Sequence, residues 1–329
     1  MAPQLAPEPL LPSPTSGVSP PAGDPNQVVR GRLLLATDDG LFRVDVDIGA
    51  VRAVALGGLA PGAIDRRLVR QHDTVIVVRY RAAHALPASL DRPMVRLGRA
   101  SFAVPSTRAD RMWLVDQAPD PDRWFTVSEV RLDGTPTSPA RTLPLGRIPR
   151  AGVPGGLLIS ALGKAGGLLV WEPVTGRTRL LAPSGASFLA ARNAVVAWSA
   201  GGRLHLTDAR SGQDQIVAAL PGTAGFDAVG AFSPDGAVLA VITVPAAFAA
   251  SALVLVDLRR GSVRRVEGAE GALSGGCDPC LSWSPAGDDL FFARVGPSFG
   301  LGAYRLGAPR ATMLPFEVPG VSPPSLLAL

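Results

Sequence analysis

Lysine is all but missing from this 329-residue chain: Lys164 is the only one, so the formal net charge of +5 rests on arginine. Aromatic residues reach only 5%. No basic run is interleaved with them, which leaves nothing for nucleobases to stack on and argues against nucleic-acid binding. Charged residues are 18% of the chain, too few for a charge-rich coiled coil or a chain held unfolded by its own charge. The two cysteines, Cys277 and Cys280, and three dispersed histidines, His72, His84 and His205, do not have the spacing of a four-ligand zinc site. Haem attachment is excluded too, because Leu281 rather than histidine follows Cys280. No nucleophile elbow, zinc-protease pair or phosphate loop occurs; Gly163-Lys164 runs into Ala165 instead of a hydroxyl residue. No cofactor, no metal and no catalytic residue is therefore expected.

What the chain has in quantity is apolar residues, at 47%, together with 37 glycines and 32 prolines. The first supply a large core. The others disfavour long helices, since glycine weakens a helix interior by about 1 kcal/mol and proline by about 3 relative to alanine. Short strands joined by turns are the expected outcome. Residues 1–27 hold eight prolines and no basic residue, which reads as an extended linker rather than a secretory signal. A second Pro-rich tail is expected at 319–329. Residues 237–256 carry no charge and have the length of a membrane span. Pro245 sits near their middle and both halves are rich in β-branched residues, so two buried strands and a loop are expected there, and no transmembrane segment.

A hairpin signature returns along the chain: an apolar strand, a short polar turn ending in glycine, then a second strand. Its turn glycines are Gly49, Gly134, Gly176, Gly212, Gly261 and Gly307. The first gap is a double one, with Leu90-Asp91-Arg92-Pro93 as a degenerate turn inside it, so the mean period is about 43 residues. A period of 40–45 made of four short strands is the mark of a propeller blade. Residues 28–318 hold seven such units, giving an all-β fold, a seven-bladed β-propeller of four-stranded antiparallel blades. The sixth and seventh units are sharpest, with inner strands at 228–232 and 281–284, each followed by a Ser-Pro-x-Gly turn. The first unit shows only three strands, and 316–318 are expected to supply its fourth, because an open ring would leave a bare edge.

The turns Phe232-Ser-Pro-Asp-Gly236 and Trp283-Ser-Pro-Ala-Gly287 resemble those of TolB-type and WD-type propeller repeats, and Val170-Trp171-Glu172 is similar to the WD strand ending with Glu in place of Asp. The resemblance implies a binding platform and transfers no catalytic residue.

Function is less legible than fold. Cys277-Asp278-Pro279-Cys280 precedes a strand rather than a helix, unlike a thiolate site; it is read as a local disulfide or two reduced loop thiols. A bridge, with the Pro-rich linker, favours an extracytoplasmic or envelope location, whereas free thiols and a native Met1 favour the cytoplasm. The predicted inner strands are apolar, leaving Asp227, Glu270 and Asp278 as the carboxylates at the channel mouth. The long loops 117–123, 245–251 and 296–302 share a face, and Trp124, Phe248 and Phe299 in or beside them are candidate apolar anchors. The eight arginines between residues 65 and 99, against three aspartates, are either solvated strand positions or a surface for an acidic partner. The expectation is a monomeric, non-catalytic module that binds another protein; a propeller enzyme of the hydrolase or dehydrogenase kind, with its site at the channel mouth, is the alternative.

Overall fold

The computed structural model describes residues 29–54, 65–90, 92–117, 123–162, 166–221, 230–244, 251–272, 279–294, 299–319 and 323–329. The predicted linker at 1–27 lies outside them. The described residues contain strands and no helix, so none is long and apolar enough to cross a membrane. Seven four-stranded antiparallel sheets are arranged as blades.

Blade one holds β1 (Arg32–Thr37), β2 (Gly40–Asp45) and β3 (Ala50–Ala53). Blade two holds β4 (Asp65–Gln71), β5 (Thr74–Arg79), β6 (Ala82–Pro87) and β7 (Val95–Arg99). Blade three is β8 (Phe102–Pro105), β9 (Arg111–Gln117), β10 (Arg123–Arg131) and β11 (Arg141–Pro144). Blade four is β12 (Arg147–Val153), β13 (Gly156–Ala161), β14 (Gly167–Trp171) and β15 (Thr178–Ala182). Blade five is β16 (Ser187–Arg192), β17 (Val195–Ala200), β18 (Arg203–Asp208) and β19 (Asp214–Ala219). Blade six is β20 (Gly230–Phe232), β21 (Val238–Thr243), β22 (Ala252–Asp257) and β23 (Ser262–Arg265). Blade seven is β24 (Leu281–Trp283), β25 (Asp289–Arg294), β26 (Gly300–Arg305) and β27 (Thr312–Met313). The last strand, β28 (Ser325–Ala328), returns to blade one as its innermost member.

That closure corrects two expectations. The fourth strand of blade one comes from Ser325–Ala328 and not from 316–318, and residues 319–329 are not wholly a tail. The physical reason is burial. Ser325, Leu326, Leu327 and Ala328 are all buried, and Leu34 pairs with Leu327 and Leu35 with Leu326, so the strand fills the core of the ring. Val318 is buried as well, but packs against the core without joining the sheet.

The repeat signature has a local cause. In blades five and six the turn between third and fourth strands is opened by an aspartate. Asp208 accepts hydrogen bonds from the backbone N–H of Arg210 and Ser211, and Asp257 from those of Arg259 and Arg260. Each turn ends on a glycine with positive φ, 75° at Gly212 and 66° at Gly261, a region that most side chains avoid. Gly261 also allows blade six to approach blade five: a Cβ there would lie 2.5 Å from the Val217 carbonyl oxygen. In the degenerate turn of blade two, Leu90 takes φ 59°. The Ser-Pro-x-Gly turns are held in the same way, with Ser233 and Ser284 accepting from the backbone N–H of Val238 and Asp289. The uncharged run at 237–256 becomes β21 and β22, antiparallel with Val238 opposite Asp257 and Thr243 opposite Ala252.

The core lies between the blades, where the alternate faces of their central strands meet. Its largest cluster joins blades six, seven and one around Phe291, Phe292, Trp283 and Tyr304. Burying each such side chain contributes about 1.5–3 kcal/mol. This packing fixes the innermost strands as a closed ring in the order β28, β4, β8, β12, β16, β20, β24 and back to β28.

Candidate functional site: the loop face and the inner ring

Because every blade is antiparallel, the connections from second to third strand and from one blade to the next all leave at one end of the ring. The residues singled out from sequence belong to this end. Phe248, Asp227, Asp278 and Cys277 lie outside the described residues, as does the side chain of Trp124, whose backbone belongs to β10. Phe299 is described: it is half-buried and packs against the cluster of blades six, seven and one. Glu270 is half-exposed. Its carboxylate lies 3.6 Å from Arg265 and its backbone oxygen accepts from Arg294 Nε at 2.8 Å. Glu267, Gly268, Glu270, Arg265 and Arg310 line an open groove of about 520 Å³ here. Cys280 is fully buried, and among the described residues no cysteine is free.

Many charged groups that looked available from sequence are engaged within a blade or, at Asp116, between two. Asp116 on β9 receives Arg81 at 2.8 Å and Arg99 at 2.7 Å, both from blade two, and the Ser101 hydroxyl at 3.0 Å. Burial alone would raise its carboxyl, but the hydrogen bonds from Arg81 and Ser101 hold it below the usual carboxylate range. Glu129 accepts from Ser106, Arg111 and Thr137. Asp289, almost fully buried, takes a two-pronged contact from Arg305 at 2.7 and 2.8 Å. The basic stretch of blade two is accordingly used in large part within the fold. Arg81 and Arg99 are neutralised by Asp116, Arg79 is buried with its guanidinium 4.8 Å over the Tyr80 ring, and Arg70 donates to the Ala328 carbonyl at 2.8 Å.

Two histidines are less isolated than the sequence suggests. His205 Nδ1 is 2.8 Å from Asp214, and its ring stacks on Trp198 at 3.9 Å. Trp198 Nε1 and Asp214 meet again at the Thr207 hydroxyl, which accepts from the first and donates to the second. Alternation places His205 and Thr207 on one face of β18, and the pairing of Thr207 with Asp214 delivers the carboxylate. That spacing was the available signal. His84 is buried, and burial first, then the Arg96 and Arg79 charges, lower its pKa, which favours the neutral ring. Among the described residues no group of three or more His, Cys, Asp or Glu side chains is placed to hold a metal ion.

Sequence reasoning missed three of the inner strands, and these change the character of the ring. β4, β12 and β28 are innermost, and β4 and β12 carry Asp65, Arg66, Arg67, Arg70, Arg147 and Arg150. Arg150 sits at a bulge between Pro149 and Ala151, and donates to Ser160 Oγ at 2.9 Å. The apolar reading holds for the segments expected within β8, β16, β20 and β24, and does not extend to β4 and β12.

Neither a known protein family nor any curated protein matches the chain in sequence. Solved structures do resemble it in shape. A candidate 6-phosphogluconolactonase from Bacteroides fragilis superposes with a TM-score of 0.58 at 15% identity, covering 93% of this chain and 100% of that one. AztD from Citrobacter koseri gives 0.52 at 15%, covering 92% and 98%. TolB from Acinetobacter baumannii gives 0.51 at 12%, covering 90% and 81%. At such identities the likeness carries the fold alone: the chain is a seven-bladed β-propeller.

Proposed function

We propose that this propeller is a monomeric, non-catalytic binding module whose loop face holds another protein, with its place of work at the cell envelope. The observation that carries the reading is how the carboxylates are occupied. A general acid needs a carboxyl raised towards neutrality, whereas the aspartates with a displaced pKa move the other way. Asp133 is lowered by the Thr135 backbone and hydroxyl. Asp208 and Asp235, though burial opposes it, are lowered by turn hydrogen bonds. Asp214, Glu129 and Asp289 are likewise engaged by neighbouring side chains. Such groups hold a scaffold rigid, and a rigid ring carrying loops of unequal length at one end suits recognition. The envelope location rests on the Cys277 and Cys280 pair, for which a local disulfide is proposed. Alkylation before and after reduction, read by mass spectrometry, tests it.

The binding role is tested by chemical cross-linking in the native organism followed by mass spectrometry. One protein cross-linked through the loop face, and released by Phe299→Ala or Glu270→Ala in a chain that keeps its thermal midpoint, supports the proposal. Turnover of a panel of esters, lactones and peptides that is lost with substitutions at the channel mouth overturns it.

A further inference from the structure

Blades two and five make the same turn from different residues. In each, the second and third strands are joined at the loop end by two residues, between Arg79 and Ala82 in blade two and between Ala200 and Arg203 in blade five. Both turns place two successive residues at positive φ, a geometry that suits the twist of a hairpin and is normally met by glycine or asparagine. Blade five supplies Gly201 and Gly202, at φ 56° and 72°. Blade two has Tyr80 and Arg81 there, at φ 49° and 58°. Bulky side chains are disfavoured in this region. They persist where their surroundings hold them, and such places cluster at sites of recognition.

The surroundings hold both residues. The Arg79 guanidinium lies 4.8 Å from the centre of the Tyr80 ring and backs one of its faces. Arg81 is pinned to Asp116 at 2.8 Å, and Arg99 reaches the same carboxylate at 2.7 Å. Tyr80 nevertheless stays 68% exposed. Beside it, 44% of the Arg81 side chain and 66% of the Arg99 side chain are exposed, against 15% for Asp116. Two cations share one carboxylate that lies beneath them, so the exposed tip is cationic. Blade one turns at the corresponding place through Asp38 and Asp39, which confines the basic surface to the boundary of blades two and three. A rigidly held tyrosine flanked by arginine has the composition of a binding hot spot. With a cation already on one face of the ring, a second cation on the other is disfavoured.

We infer that the Tyr80-Arg81 tip is the anchor at which an acidic segment of another protein docks, with an apolar side chain on the free face of the Tyr80 ring and carboxylates towards Arg81 and Arg99. The inference rests on the reading of the loop face as a protein-binding surface. A short fluorescein-labelled peptide of Glu, Asp and Gly with one central Trp, titrated with the full chain and followed by anisotropy, tests it. The expected result is a Kd below about 1 mM, weakened by added salt. The same peptide with Lys in place of Glu and Asp should bind about tenfold more weakly or worse. Tyr80→Asn should weaken binding about tenfold or more, yet leave the thermal midpoint unchanged or raised, because asparagine accepts the left-handed region. Ile48→Asn, at a residue 69% exposed in the turn at the opposite end of blade one, should change binding by less than about twofold.

A second readout uses the unmodified chain. Tyr80 and the buried Tyr304 are its only tyrosines, so N-acetylimidazole should acetylate Tyr80 alone, and saturating acidic peptide should protect it. Absence of binding or of protection, equal binding of the lysine peptide, equal losses from the two substitutions, or a midpoint lowered by Tyr80→Asn overturns the inference. A partner cross-linked through the loop face that binds Tyr80→Asn as tightly as the parent overturns it alone and leaves the binding role standing.

Discussion

The arginines of the inner ring and those of the surrounding strands differ in the partners they keep. Outside the ring an arginine is typically one half of a tie: Arg81 and Arg99 cross from blade two to Asp116 in blade three, and Arg305 grips the buried Asp289. In the ring, Arg70 and Arg192 donate to backbone carbonyls, and Arg147 Nη1 is buried without a hydrogen-bond partner. The lesson is that net charge locates nothing by itself. A cation paired with a carboxylate across a blade boundary contributes to stability, whereas one held by a carbonyl is positioned without being neutralised by that contact.

The largest expected effect comes from removing the strand that completes the ring. A chain ending before Ser325 loses two fully packed leucines at about 1.5–3 kcal/mol each, and β1 loses its inner neighbour. Its thermal unfolding, followed by circular dichroism, should lose cooperativity or shift down by more than about 10 °C. An unchanged midpoint would mean that the ring does not need β28. Next in size is Asp289→Asn. Leaving Arg305 without its buried partner should lower stability by about 3–5 kcal/mol in denaturant titration. Arg147→Met, which removes a buried group that has no acceptor, should leave stability unchanged or raise it. If the two substitutions are equally damaging, the contrast between inner and outer arginines fails.

A smaller effect is expected of Asp116→Asn, about 1 kcal/mol, because Arg81 and Arg99 are partly exposed and solvent screens them. Its sign with pH follows from a carboxyl lowered in the folded state. The contribution is full above the unfolded pKa and is lost as pH falls through the folded value. The gap between parent and variant should therefore close in acid. His84 gives the smallest signal. Its pKa lies below the ordinary 6.5 in the folded chain, so the unfolded chain takes up the proton first on acidification. The thermal midpoint should decline as pH drops through that window, and His84→Gln should flatten the decline.

The seven blades were legible because their turns carry chemistry that a sequence displays: Ser-Pro-x-Gly before a second strand, and glycine with positive φ before a fourth. Blade six shows it well, since β21 at Val238–Thr243 has the bounds expected of it. The strands that were missed fail for particular reasons. Arg147-Ile-Pro-Arg150 looks like a loop because proline and charge interrupt the apolar pattern, and the bulge that accommodates them is a tertiary feature. Ser325-Leu-Leu-Ala328 follows Pro323 and Pro324 and is too short to show alternation. The polar network of Trp198, His205, Thr207 and Asp214 depends on the register of three strands. The candidate anchors were chosen for loop length. Of these, Phe299 is half-buried against the core cluster, and Trp124 and Phe248 are not among the described side chains.

The pairing of Leu34 with Leu327 also bears on how the molecule is made. About 290 residues separate the two sides of one four-residue contact, so the ring cannot shut until synthesis has passed the last blade, and contacts of such separation form slowly. Throughout that interval the inner edge of β1 is an unpaired row of peptide groups, open to any extended segment that reaches it first. A nascent chain of this kind would be most exposed to misassembly while six blades are already folded.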